Sequence, residues 1–161
     1  FRHHEVVGAR MTKKILKELK YDNKTIKDIS LLVEQHLRPH TFKMGWTDSA
    51  VRRYIVDAGH MLEDLNQLVR ADVTTKNKTK AKEIYDNLDE MEKRIEEVKA
   101  KEELSKIRPA LSGDEIMKHF NIQPGPKVGV IMKALYEQRI NDGEVSKEEA
   151  LQLAEETFKN L

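Results

Sequence analysis

The chain has 161 residues, of which 39% are hydrophobic and 35% charged, with no cysteine and a formal net charge of +1. That length suits one ordinary domain or two small ones and is enough to bury a real core. The lack of cysteine excludes a disulfide framework, a cysteine-ligated zinc and a thiol nucleophile. No apolar run approaches the roughly 20 residues of a membrane span, and no charged-apolar-small leader opens the sequence, so a soluble, cytoplasmic protein is expected. The chain begins at Phe1 with a motif-like cluster, Phe1-Arg2-His3-His4-Glu5, the pattern expected of a piece of something longer.

The small net charge hides an asymmetry. Residues 1–80 carry 16 Lys and Arg against 10 Asp and Glu, whereas residues 81–161 carry 13 against 18. A basic excess on one half permits a polyanion partner there.

Almost every segment reads as helix. Met11, Ile15 and Leu19 mark the buried side expected of a first helix over residues 5–20. Tyr21-Asp22-Asn23 supplies a turn and cap, and Ile26, Ile29, Val33 and Leu37 carry the second helix. Pro39 disfavours helix at Arg38 and opens a loop that Trp46 seals. Thr47 reads as the next N-cap and Gly59 as the stop of the third helix. Leu62, Leu65, Leu68 and Val69 point inward on the fourth.

A long helix follows over residues 79–105. Ala81, Ile84, Leu88, Met91, Ile95 and Val98 step by alternating threes and fours, a heptad seam on a rod about 40 Å long. With so few heptads, the expected packing is along its own domain. Ser112 with Glu115, and Ser146 with Glu149, form capping boxes, and Pro126 fits the first position of the helix between them. The fold class is therefore all-α, with a domain boundary expected between residues 106 and 107.

Three polar residues share faces with core positions: His4 with Met11 and Ile15, His36 with Ile29 and Val33, and Asp72 with Leu65 and Val69. All three are of types that bind divalent metals. An inward carboxylate needs a partner, which for Asp72 is a metal ion, an arginine or a set of backbone N–H groups. Each histidine also has a plain reading as a hydrogen-bonded core residue.

Phe1-Arg2-His3-His4-Glu5-Val6-Val7-Gly8-Ala9, Leu32-Val33-Glu34-Gln35-His36-Leu37-Arg38-Pro39 and Trp46-Thr47-Asp48-Ser49-Ala50-Val51-Arg52-Arg53 together resemble the HD-domain region of bacterial CCA-adding tRNA nucleotidyltransferases. Val69-Arg70-Ala71-Asp72-Val73-Thr74-Thr75-Lys76-Asn77 and Pro124-Gly125-Pro126-Lys127-Val128-Gly129 are similar to that family in the same order, and to its actinobacterial type in particular. Some such proteins carry the name of poly(A) polymerase relatives. The resemblance implies a distal HD-domain portion with a long connecting helix over residues 1–106 and a helical tail over 107–161. It also implies that His4, His36 and Asp72 belong to a divalent-metal centre. The defining His-Asp dipeptide does not occur in these residues, so the resemblance supplies half a site.

The family's polymerising head, which uses Mg2+, CTP and ATP, carries a Gly-Ser followed by an Asp-x-Asp pair that holds two metals. Neither pattern occurs in this sequence, so the chain alone is expected to be inactive in nucleotidyl transfer. Its expected partner is tRNA, held away from the growing 3′ end.

Two stretches suit phosphate contact. Arg70, Lys76, Lys78, Lys80 and Lys82 gather at the entry to the long helix with Asp72 as the one acid among them. Lys127 sits at a helix N-terminus, and Gly129 permits close backbone approach there. Arg52 and Arg53 diverge by about 100° on a helix, so at most one faces a buried carboxylate. Two other readings remain at this stage: a metal-dependent HD-type phosphohydrolase, and a purely structural helical module.

Overall fold

The computed structural model describes residues 4–101 and 108–161. The described residues are overwhelmingly helical and include no strand. The elements are α1 (His4–Glu18), α2 (Asn23–Gln35), a 3-10 segment (Arg38–Met44), α3 (Asp48–Ala58), a 3-10 turn (Gly59–Met61), α4 (Leu62–Ala71), α5 (Lys78–Lys101), α6 (Gly113–Phe120), α7 (Pro126–Asp142) and α8 (Lys147–Lys159). The all-α expectation holds. The boundary expected between residues 106 and 107, and the expected end of the long helix at Ser105, lie outside the described residues.

The elements group into two compact units. Residues 4–47 and 54–96 make the first, and residues 48–53, 97–101 and 108–161 make the second.

In the first unit α1 and α2 form a hairpin. Asp22 caps α2, its Oδ1 accepting from the Thr25 N–H at 3.0 Å. Leu62, Leu65 and Val69 of α4 and Leu88, Met91 and Ile95 of α5 are buried, so the heptad seam is spent inside the chain, as its short length implies. The segment after Pro39 is the 3-10 helix and not the loop expected, since proline suits a helix's first turn. Trp46 does pack on it, its Nε1 donating to Thr41 Oγ1 at 3.0 Å and its ring packing edge-on against Phe42 and tilted against Tyr54. The Arg38 guanidinium lies 6.0 Å from the Trp46 ring and 5.7 Å from that of Tyr54, and pairs with Asp57 at 2.6 Å.

The inner face of α1 departs from expectation. Met11, Ile15 and Leu19 are exposed, while Ala9 is buried and Gly8, Thr12 and Leu16 are half-buried. Shape decides this. A Cβ on Gly8 would stand 3.1 Å from Val33 Cγ1, so small residues let α1 lie close against α2, and the bulky side chains are left outward. Ile29 and Leu68, also expected inward, are exposed to a lesser degree.

In the second unit Leu111, Ile116, Ile131, Leu135, Ala150 and Ala154 form the core. Both capping boxes are present, at Ser112 with Glu115 and at Ser146 with Glu149, and Pro126 opens α7. Lys147 Nζ donates to Glu115 Oε1 at 2.8 Å. That bond, with those from Ser112, pulls the Glu115 carboxyl down from 4.5 to about 2. Arg52 is buried and turned to the end of α7: Nε donates to the Ile140 carbonyl at 2.7 Å and Nη2 to the Asn141 carbonyl at 2.8 Å. Arg53 pairs with Glu137 through both Nη1 and Nη2.

Candidate nucleic-acid interface

The start of α5 is built against the usual rule for helix ends. A helix N-terminus carries partial positive charge and is stabilised by acids in its first turn. Here the first turn holds no acid, and Lys76, Lys78, Lys80 and Lys82 are all exposed. Asn77 starts the helix, its Oδ1 accepting from the Lys80 N–H at 3.1 Å and its carbonyl from the Ala81 N–H at 2.8 Å. Asn77 is the residue that the sequence reading overlooked, and its signal was a capping residue type two positions ahead of Thr79. The result is a short concentration of positive potential suited to an anion.

Arg70 is not part of that open array. Its Nε and Nη2 donate to the two carboxylate oxygens of Glu92 at 3.0 and 2.8 Å, and Nη2 also reaches Asp89 at 2.6 Å. These bonds raise the guanidinium above its usual value. The side chain ties α4 to α5 within the first unit.

Asp72 was expected to face the core, and it does not. Helix α4 ends at Ala71, and Asp72 is its C-cap, with an exposed side chain and its N–H bonded to the Leu68 carbonyl at 2.9 Å. The inward periodicity of Leu65 and Val69 stops one residue too early to carry Asp72 with it. His4 and His36 do come together, their ring centroids 5.5 Å apart. Nδ1 of His36 is 2.6 Å from the Val33 carbonyl and therefore carries the proton. Among the described residues no group of three or more His, Asp and Glu side chains is placed to hold a metal ion. His4, His36 and Asp72 thus do not fit a metal set by themselves. His60 and His119 lie at the surface, beside Asp28 at 3.1 Å and Glu155 at 3.2 Å.

At the start of α7 the Lys127 ammonium sits 5.5 Å over the Phe158 ring. The Gly129 N–H is bonded to the Gly125 carbonyl at 3.3 Å. The N–H groups of Lys127 and Val128 precede the first intrahelical bond and face outward along the axis. A Cβ at Gly129 would meet nothing within 4 Å. Among the described residues no contact asks for glycine at that position. Arg52 and Arg53 both hold the end of α7. No helix among the described residues is long and apolar enough to cross a membrane.

Residues 6–154 match the family described as tRNA nucleotidyltransferase domain 2. The chain is 30% identical over 141 residues to an A-adding tRNA nucleotidyltransferase of Deinococcus radiodurans, covering 86% of this chain and 31% of that protein. It is 31% identical over 150 residues to a CC-adding tRNA nucleotidyltransferase of Thermus thermophilus, covering 93% of this chain and 32% of that one. The chain spans about a third of the length of these curated relatives. No solved structure matches it.

Proposed function

Because the chain belongs to the tRNA nucleotidyltransferase domain 2 family, we propose that it holds tRNA for an enzyme whose catalytic portion, using CTP and ATP with divalent metal, lies outside these residues. The single observation that carries this reading is the start of α5. Four exposed lysines surround a helix end that is itself positive, with no acid in the first turn. Such an arrangement costs stability unless an anion neutralises it. A phosphate backbone is the polyanion that the family relationship supplies.

The contact at Lys76, Lys78, Lys80 and Lys82 positions the tRNA and carries little sequence information, because phosphates are alike along the strand. The Lys127 ammonium and the N–H groups of Lys127 and Val128, with open space for approach at Gly129, form a second, smaller phosphate seat on the other unit. Arg70 is engaged by the carboxylates of α5 and is not one of these phosphate contacts. His4 and His36 take no part in the reaction proposed for this chain. No step is assigned to a metal here, since the described side chains do not form a ligand set.

The test is tRNA affinity as a function of salt. Charge reversal of Lys76, Lys78 and Lys80 should lower affinity and reduce the slope of log K against log salt by roughly two to three. Unchanged affinity at low salt would remove the patch from the reading.

A further inference from the structure

Helix α1 carries an apolar stripe that its own fold does not use. Val7, Met11, Ile15 and Leu19 are 52, 57, 48 and 64% exposed. They recur every four residues, with Leu19 in the turn just past the end of α1 and its N–H still bonded to the Ile15 carbonyl, so they lie along one side over about 18 Å. Isolated exposed apolar residues are ordinary, but a continuous stripe of this kind marks a contact surface. The chain spends its small residues on the α1–α2 contact, with Gly8 tight against Val33, and leaves the large ones outside.

We propose that this stripe seats the part of a tRNA nucleotidyltransferase that lies outside the matched third, through an apolar surface bordered by carboxylates. The identity of the occupant rests on the function proposed above. Two observations select it. The relatives are about three times as long as the stretch they share with this chain, so such an enzyme has a remainder large enough to cover the stripe. Arg10, Lys14 and Lys17 are exposed along one side of the stripe, and the one acid beside them, Glu18, stands 3.9 Å from Lys14. That charge favours an acidic border on the occupant. A second copy of the chain would bring a basic flank of its own, and RNA gains little from methyl and thioether groups.

The chain has no cysteine, so single-cysteine variants report burial cleanly. Met11→Cys and Ile15→Cys, with Lys159→Cys as an exposed control, would be alkylated by a maleimide without tRNA present. The two forms compared are the 161-residue chain and a fusion joining it to the unmatched part of the Deinococcus relative, with any cysteine there replaced by serine. Alkylation at Met11→Cys and Ile15→Cys slowed at least tenfold in the fusion alone, with the control unchanged, is the expected result. Equal rates in a fusion that unfolds cooperatively overturn the proposal. So does protection of the chain alone by added tRNA, by raised protein concentration or by phosphatidylglycerol vesicles. Where the fusion does not fold, Met11→Ser/Ile15→Ser in the chain alone decides. An unchanged melting temperature supports a stripe external to the chain's own fold, and a clear drop overturns it. Because the comparison of chain with fusion is made without tRNA, failure of the lysine reversals to change tRNA affinity leaves its result intact.

Discussion

Arg52 donates to the carbonyl of Ile140, 88 residues further along the chain, at 2.7 Å. With the second bond to Asn141, one buried guanidinium closes the carbonyl end of α7, where partial negative charge collects. Arg52→Met should destabilise the chain by about 3 kcal/mol, because a charged donor and two acceptors lose each other in a buried place. Arg52→Lys should recover only part of that, since a single ammonium does not reproduce the planar fork. Urea unfolding midpoints check both, and a change near zero for Arg52→Met would contradict the assigned role.

Two glycines should respond in opposite directions. Gly8→Val places new atoms where a Cβ already meets Val33 at 3.1 Å, and should cost about 1–3 kcal/mol through overpacking. Gly129→Ala adds a methyl into open space within α7 and should stabilise by about 0.5–1 kcal/mol. If tRNA backbone approaches Gly129, the same alanine lowers tRNA affinity while raising the melting temperature. Measuring the two quantities on one variant separates the effects.

Arg70 offers a test of which cations are available to RNA. Its bonds to Glu92 and Asp89 are partly open to water, so Arg70→Gln should cost no more than about 1 kcal/mol of stability. The expected tRNA affinity is unchanged. A loss comparable to that from a lysine reversal would show that the guanidinium leaves its carboxylates to meet a phosphate.

The Glu115 carboxyl is held near 2 in the folded chain, first by the Lys147 hydrogen bond and then by those from Ser112. A folded value below the ordinary 4.5 means that its stabilising effect is fully present above about pH 4.5. The effect is lost as pH falls from there toward 2. Glu115→Gln should therefore lower the melting temperature at pH 7 and make it less sensitive to acid across that window. Parallel acid profiles for the two proteins would dismiss the linkage.

The helix starts and the buried seam were legible in the sequence because they depend on neighbours within four residues. Ser112 and Glu115, Ser146 and Glu149, Pro126, and the row from Leu88 to Val98 all stand where their spacing places them. The inner side of α1 was not legible. Period alone favours Met11 and Ile15, whereas the observed packing depends on how closely Gly8 lets α1 approach Val33. Asp72 was misplaced because its expected direction requires α4 to continue, and α4 ends at Ala71. The groups at the end of α7 that Arg52 and Arg53 hold lie more than 80 residues away, and no local pattern names them. The lysines at the start of α5 were legible as a cluster, but their collision with the helix dipole required the helix to begin at Lys78.

That collision gives salt two opposed effects on one turn of helix. Raising ionic strength shortens the screening length from about 10 Å at 0.1 M to about 3 Å at 1 M. Repulsion among Lys78, Lys80 and Lys82 then weakens, and the first turn of α5 becomes firmer in the free chain. The same screening loosens any phosphate held there. Order at this helix end and occupancy by RNA therefore run in opposite directions along a salt titration, and the turn is most in need of a ligand under the conditions where it binds one best.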